Sequence, residues 1–423
     1  MVTPPTSSKY SGQAVDHRMP SFICLRNYFA RQIERLLSTP WIMRPLFNLL
    51  RQWRPILLAN GNAIVTKYRD VRAVLADAEH FDVDYPKAGQ HQIVAMRDGP
   101  EYRNLKDSLL HGLGSDYQSQ LRTIVTNRAE RALSAMPKRF DAVSQYARVI
   151  AIDLTDSFLG VPANPEDMQR WTRTILRDIF LNLLNDPKMS ADAQRSRMQL
   201  AAHVAELLTR AKADLDAGGQ PPDNFFGRLL THARATKTSD DVVRDLMAGL
   251  VTALADNISN TISRSMKFLL DHPLQLNGAA DAATENNSAL LLRYILEALR
   301  FNPESPLLLR LCSNAVTLAP MTSRLTTIPA GTMVMAAIEG AMFDSDPEAF
   351  PEPRIFRTTR PLDNYLHFGW GMHRCFGMGI AEVVLPAAVG ALLRLPNLRR
   401  VRGFEGLATY DGTFPTRMLI EYG

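Results

Sequence analysis

Cysteine is scarce in this chain: three residues, Cys24, Cys312 and Cys375, among 423. So sparse and odd a set excludes a disulfide framework and a fused iron–sulfur domain, and it points to a reducing, cytoplasmic setting. Long apolar runs are missing too. No stretch approaches about 18 uninterrupted apolar residues, so no membrane-spanning helix is expected. The start, MVTPPTSSKY, lacks the apolar core of a secretory signal. Charge of one sign is also lacking. Lys+Arg number 48 and Asp+Glu 43, a net +5 spread along the chain, which argues against a nucleic-acid tail. A mildly basic surface still suits an acidic protein partner.

What is present is helix. Periodic apolar patterning predicts helices over 123–135, 168–184, 190–217, 239–271, 288–301 and 378–395. Ser239, followed by Asp240 and Asp241, reads as an N-cap, and Pro273 as a stop. Short strands are expected at 56–58, 63–65, 315–318, 332–337 and 418–421. Loop signals fall at 217–224, 302–306 and 344–353. The fold class is therefore mainly α with small β-sheets near each end; length alone suggests two or three domains, and one large domain organised around a big buried cofactor is the alternative. Residues 1–18 read as disordered. Residues 21–57 mix large apolar side chains with six arginines. They read as helices packed on the body, with contact to a membrane surface as the second reading.

Residues 368–377 read Phe-Gly-Trp-Gly-Met-His-Arg-Cys-Phe-Gly. Glycines let a loop approach a planar ligand closely. A cysteine just before a helix is placed to be a thiolate, and backbone N–H groups there can tune a metal-bound sulfur. From these residues alone several readings stand. Cys375 is a haem ligand, an inert buried thiol, a nucleophile partnered by His373, or part of a zinc site with His367 and His373.

The full string resembles the haem-binding loop of the cytochrome P-450 superfamily, through Phe368, Gly371, His373, Cys375 and Gly377. The resemblance extends over other landmarks from about Ala63 to the C-terminus. It implies a single-domain fold with haem between the long central helix and the cysteine loop, and Cys375 as thiolate ligand to iron. The catalytic domain would span 61–423, with 19–60 a divergent N-terminal segment. Glu297 and Arg300 resemble the family's structural Glu-x-x-Arg pair. In the Phe350-Pro-Glu-Pro landmark the usual arginine is displaced by Ile355, and Arg354 and Arg360 both remain open as substitutes. Arg310 and His373 resemble haem-propionate contacts. Tyr102 and Lys106 stand where the family has histidine and arginine. Phe368, Gly369, Gly371 and Gly377 complete the cofactor-binding set. In the long helix the family keeps an acid–alcohol pair beside a local bulge. Asp256 takes the acid position, and Asn257 replaces the alcohol.

The resemblance implies a monooxygenase holding heme b. It would take electrons from a ferredoxin or flavodoxin with its reductase, and insert one atom of O2 into a small apolar substrate. Lys87–Val94, Leu250–Asn257 and Leu307–Leu309 are the candidate pocket regions. A second reading follows from Asn257 and from likeness around 360–377 to the haem-thiolate domains of fatty-acid dioxygenase fusions. It is a hydroperoxide isomerase or peroxygenase needing no electron donor. A third is a haem-based small-molecule binding protein. Retained Asp256 favours oxygen activation.

Overall fold

A computed structural model describes residues 40–83, 91–182 and 185–423. Cys24, Lys87–Gln90 and the proposed disordered terminus lie outside them. In chain order the main elements are α1 (Pro40–Trp53), β1 (Ile56–Ala59), β2 (Asn62–Val65), α2 (Tyr68–Ala76), β3 (Phe81–Asp82), α3 (Pro100–Leu113) and α4 (Tyr117–Ser134). β4 (Arg139–Asp141), α5 (Arg148–Ser157), α6 (Pro165–Phe180), α7 (Pro187–Asp216), α8 (Phe225–Thr236), α9 (Asp240–Asp271), α10 (Pro273–Thr284) and α11 (Ser288–Phe301) follow. The chain then runs through β5 (Leu308–Cys312), β6 (Val316–Leu318), β7 (Thr326–Ile328), β8 (Met333–Ala336), α12 (Ile338–Met342) and α13 (Met378–Leu393). It ends in β9 (Arg399–Arg400), β10 (Thr409–Asp411), β11 (Phe414–Arg417) and β12 (Leu419–Glu421).

Side chains that accept from free N–H groups set the helix starts. Asn164 caps α6, Asp186 caps α7, Asn224 caps α8 and Asn287 caps α11. Ser239 caps α9 as expected, with Asp240 and Asp241 in its first turn. α9 is the axis of the molecule. Val243, Met247, Val251, Leu254, Ile258, Ile262, Met266 and Leu269 recur every three or four residues, and all are buried. α9 packs against α5, α6, α7, α11 and α13. It is α-helical throughout, so the expected bulge is absent from it; the π-helical turn lies instead at Ala142–Ala147, before α5.

The larger sheet has the order β1-β2-β8-β5-β3. β2 and β8 are parallel, and the other neighbours antiparallel. β12 pairs with both β4 and β9, which pins the C-terminus beside residues 139–141. The described part of the basic N-terminal segment packs on the body. Met43 and Phe47 of α1 are buried with Ala337, and Arg51 donates to Gly340 O at 2.6 Å. Leu46, Leu49 and Trp53 on the same helix are exposed. Among the described residues no helix is long and apolar enough to cross a membrane.

Candidate haem site

The cysteine loop is closed on itself: Cys375 N donates to Phe368 O at 2.8 Å, and Arg374 N to Gly371 O at 3.1 Å. Gly371 has φ +73, and a Cβ there would lie 2.5 Å from Leu75 O. Both facts demand glycine, because the loop seats on the end of α2. Gly369 also has positive φ, whereas Gly377 does not. The value of Gly377 lies in its N–H, which is hydrogen-bonded to the Cys375 sulfur.

Cys375 sits deep in the protein, yet its side chain is accessible. Its thiol therefore faces a recess inside the molecule. Ala253, in the middle of α9, is likewise exposed although Thr252 and Leu254 beside it are buried, and Asn257 one turn on is half-buried. Burial pushes the Cys375 thiol up, and the Gly377 N–H pulls it back. A thiolate here requires a cation against the sulfur. Among the described residues His367, His373 and Cys375 do not converge as metal ligands. His367 instead bonds Leu296 O at 2.9 Å. That removes the zinc reading.

Glu297 and Arg300 form a fully buried, bidentate pair, with contacts of 2.9 and 2.6 Å. Arg300 also donates to Pro353 O and Met342 O. Around Glu297 gather Tyr365 OH at 2.7 Å, Arg357 N at 3.0 Å and Arg360 Nε at 3.3 Å. Arg360 is buried and donates to the carbonyls of Pro351, Glu352 and Ile355, while Arg354 is exposed. Arg360 is thus the arginine of this network, the choice left open by sequence. Burial pushes the carboxyl up, but Arg300, Tyr365 and the Arg357 N–H outweigh it and hold the carboxylate low.

Arg310 lies on β5, 3% exposed, and donates to Leu309 O at 2.8 Å. Burial, then the Arg310 charge, lowers His373 to about 4, so the imidazole is neutral. Its Nδ1 is buried without a hydrogen-bond partner. The Arg310 guanidinium suits a carboxylate, as a haem propionate would supply, and such a charge would draw a proton onto the open His373 nitrogen beside it. Tyr102, read from sequence as another propionate donor, gives its hydroxyl proton to Met372 O at 2.9 Å, and its ring edge meets His373. It braces the loop from behind. Lys106 is half-buried, stands over the Tyr102 ring at 5.6 Å, and adds to the lowering of His373. Phe368 is half-buried against the core.

On α9, Asp256 is 3% exposed and accepts from Thr172 Oγ1 at 2.9 Å and Arg173 NH2 at 2.8 Å. Both donors come from α6, so the acid ties two helices together. Sequence reasoning missed these partners, and it missed Glu304. That residue follows α11 in a stretch read only as a loop. Asn260 Nδ2 and Thr261 Oγ1 lie 2.8 and 3.2 Å from its carboxylate oxygens. The one available signal was an acid flanked by prolines right after an apolar helix.

The sequence profile described as Cytochrome P450 matches residues 166–398, more than half of the chain. The chain belongs to the cytochrome P450 family. It is a haem-thiolate oxidoreductase of the monooxygenase class. Curated relatives include the biotin biosynthesis cytochrome P450 of Bacillus subtilis, 24% identical over 89% of this chain and 98% of that protein. The vitamin D(3) 25-hydroxylase of Pseudonocardia autotrophica is 25% identical over 85% and 87%. Among solved structures, P450BioI in complex with an acyl carrier protein carrying hexadec-9Z-enoic acid superposes with a TM-score of 0.77 at 21% identity. That match covers 91% of this chain and 99% of the other.

Proposed function

We propose that Cys375 Sγ would ligate the iron of a heme b held between the cysteine loop and α9, where Ala253 is exposed and Asn257 half-buried. The accessible thiol inside an otherwise closed core is the observation that carries this reading. When bound, the haem supplies activation of dioxygen and insertion of one oxygen atom into a C–H or C=C bond. The Gly377 N–H then tempers the charge on sulfur. The Arg310 guanidinium would hold a propionate, with His373 Nδ1 joining it once that carboxylate draws a proton onto the ring, and Lys106 adding charge. Asn257 orders water by its amide, and Asp256 keeps α6 and α9 in register above the site. Leu250–Asn257 and Leu307–Leu309 line an apolar pocket for a small lipophile. Relatives named for vitamin D(3) hydroxylation and a structure carrying a fatty acyl chain support that substrate class. A ferredoxin or flavodoxin with its reductase supplies the electrons in the cytoplasm.

The purified protein, reduced and exposed to carbon monoxide, should show the red-shifted Soret band of thiolate-ligated haem. Cys375→Ala should lose it. No such band in the native protein, or an unchanged band in the variant, overturns the assignment. Labelled dioxygen should appear in product when a sterol, fatty-acyl and terpene panel is turned over with a reconstituted donor.

A further inference from the structure

The central helix has no hydroxyl at position 257, and its acid is bound elsewhere. Asp256 is taken up by Thr172 and Arg173. Beside Asn257 there stands instead a chain of polar groups that ends on Glu304. Arg264 Nε donates to Asn260 Oδ1 at 2.8 Å, which fixes the orientation of that amide. Asn260 Nδ2 then donates to Glu304 Oε1 at 2.8 Å. Thr261 Oγ1 can donate to either of two acceptors, Asn257 O at 2.7 Å or Glu304 Oε2 at 3.2 Å, and the shorter contact is to Asn257 O. A hydroxyl has a single proton. With that proton on Asn257 O, the Glu304–Thr261 contact is a hydrogen bond only if the carboxyl supplies one.

We propose that Glu304 is the proton-holding residue of this site, presenting a proton through Thr261 Oγ1 to water at Asn257 and so serving in place of an alcohol at 257. The proposal rests on the haem assignment for its use in catalysis, though not for the state of the carboxyl itself. In each cycle the Thr261 hydroxyl turns its proton from Asn257 O to the water and transfers it, while Glu304 Oε2–H passes its own proton to Thr261 Oγ1. The carboxylate left behind regains one proton from solvent, so nothing accumulates. Glu304 acts through Thr261 and is a positioning residue.

The electrostatics agree with the geometry. Burial lifts the Glu304 carboxyl to about 7, and Asp256 adds to the rise. Arg264, Asn260 and Thr261 oppose it. Cys375 is the other ionisable group that feels its charge. Glu304 therefore exchanges protons near neutrality, where a donor of this kind is most effective.

Infrared difference spectra of the full chain carrying Glu339→Gln, titrated from pH 5 to 9, test this with or without haem, the substitution removing the other carboxyl that burial lifts to about 7. A protonated carboxyl band should disappear near pH 7. It should be missing in Glu304→Gln and shifted in Thr261→Val, which removes the hydroxyl partner but keeps the acid. In the haem-loaded enzyme Glu304→Gln should keep the carbon monoxide band and lose product formation on the order of a hundredfold, with reducing equivalents diverted to peroxide. Glu304→Asp should restore part of the coupling. A carboxyl band that persists in Glu304→Gln, or that fails to respond to Thr261→Val, overturns the proposal. If the native protein lacks the carbon monoxide band, the haem assignment fails, and the infrared result still decides the state of Glu304.

Discussion

Glu297 shows how much one residue can organise. Its carboxylate gathers two arginines, a tyrosine and a backbone N–H, all from segments that converge below the cysteine loop. Removing one partner of a buried ion pair leaves the other uncompensated. Arg360→Ala should therefore destabilise the protein by about 3 kcal/mol, read as an earlier urea midpoint. Arg354→Ala should be silent, because that side chain is exposed. Equal effects would show that Arg360 is not in the network. The family resemblance could name Glu297 and Arg300 from the sequence, since both sit on one helix three residues apart. It could not choose Arg360, because that choice depends on how the intervening chain, through β5–β8, α12 and the loop after it, folds back.

Helices were the legible elements. α9 and α11 begin and end within a residue of expectation, because cap, period and breaker all agree. α10 was missed for a physical reason: Pro273 was read as a stop, yet it also serves as the first residue of the next helix. β5 was missed since its run Leu-Leu-Arg-Leu-Cys has no alternation to mark it as a strand. The π-helical turn at Ala142–Ala147, just before α5, is likewise announced by no residue pattern. Asp256 illustrates the limit for sites. Its position on α9 was legible, but its partners lie on α6. Asp256→Ala should loosen that joint, with faster amide hydrogen exchange along Pro165–Phe180 than along α11. Unchanged exchange in α6 would refute the clamp.

At the scale of the whole molecule, buried titratable groups oppose one another. Burial raises Glu304 and Glu339 to about 7. Each binds a proton in the folded state that the unfolded chain has released, so stability is present below about 4.5 and lost as pH rises through about 7. His367 and His373 are lowered to about 4. They stay neutral when folded, so their contribution is present above their ordinary value and is lost as pH falls toward 4. Between these limits the two pairs cancel in part. Glu339 is fully buried, with Arg44 at 3.1 Å and one carboxylate oxygen unbonded. Glu339→Gln should gain on the native protein from pH 5 to pH 8, by up to about 3 kcal/mol, in parallel denaturant titrations. A constant difference across that range would contradict the shift.

The pairing of β2 with β8 joins residues 62–65 to residues 333–336. All of the chain up to Ala336 must leave the ribosome before that edge closes. Until then the cysteine loop, which follows β8, has not been made. Loading of the prosthetic group is consequently among the last events in the life of the nascent polypeptide, and the early two-thirds must wait, sheet edge open, for its completion.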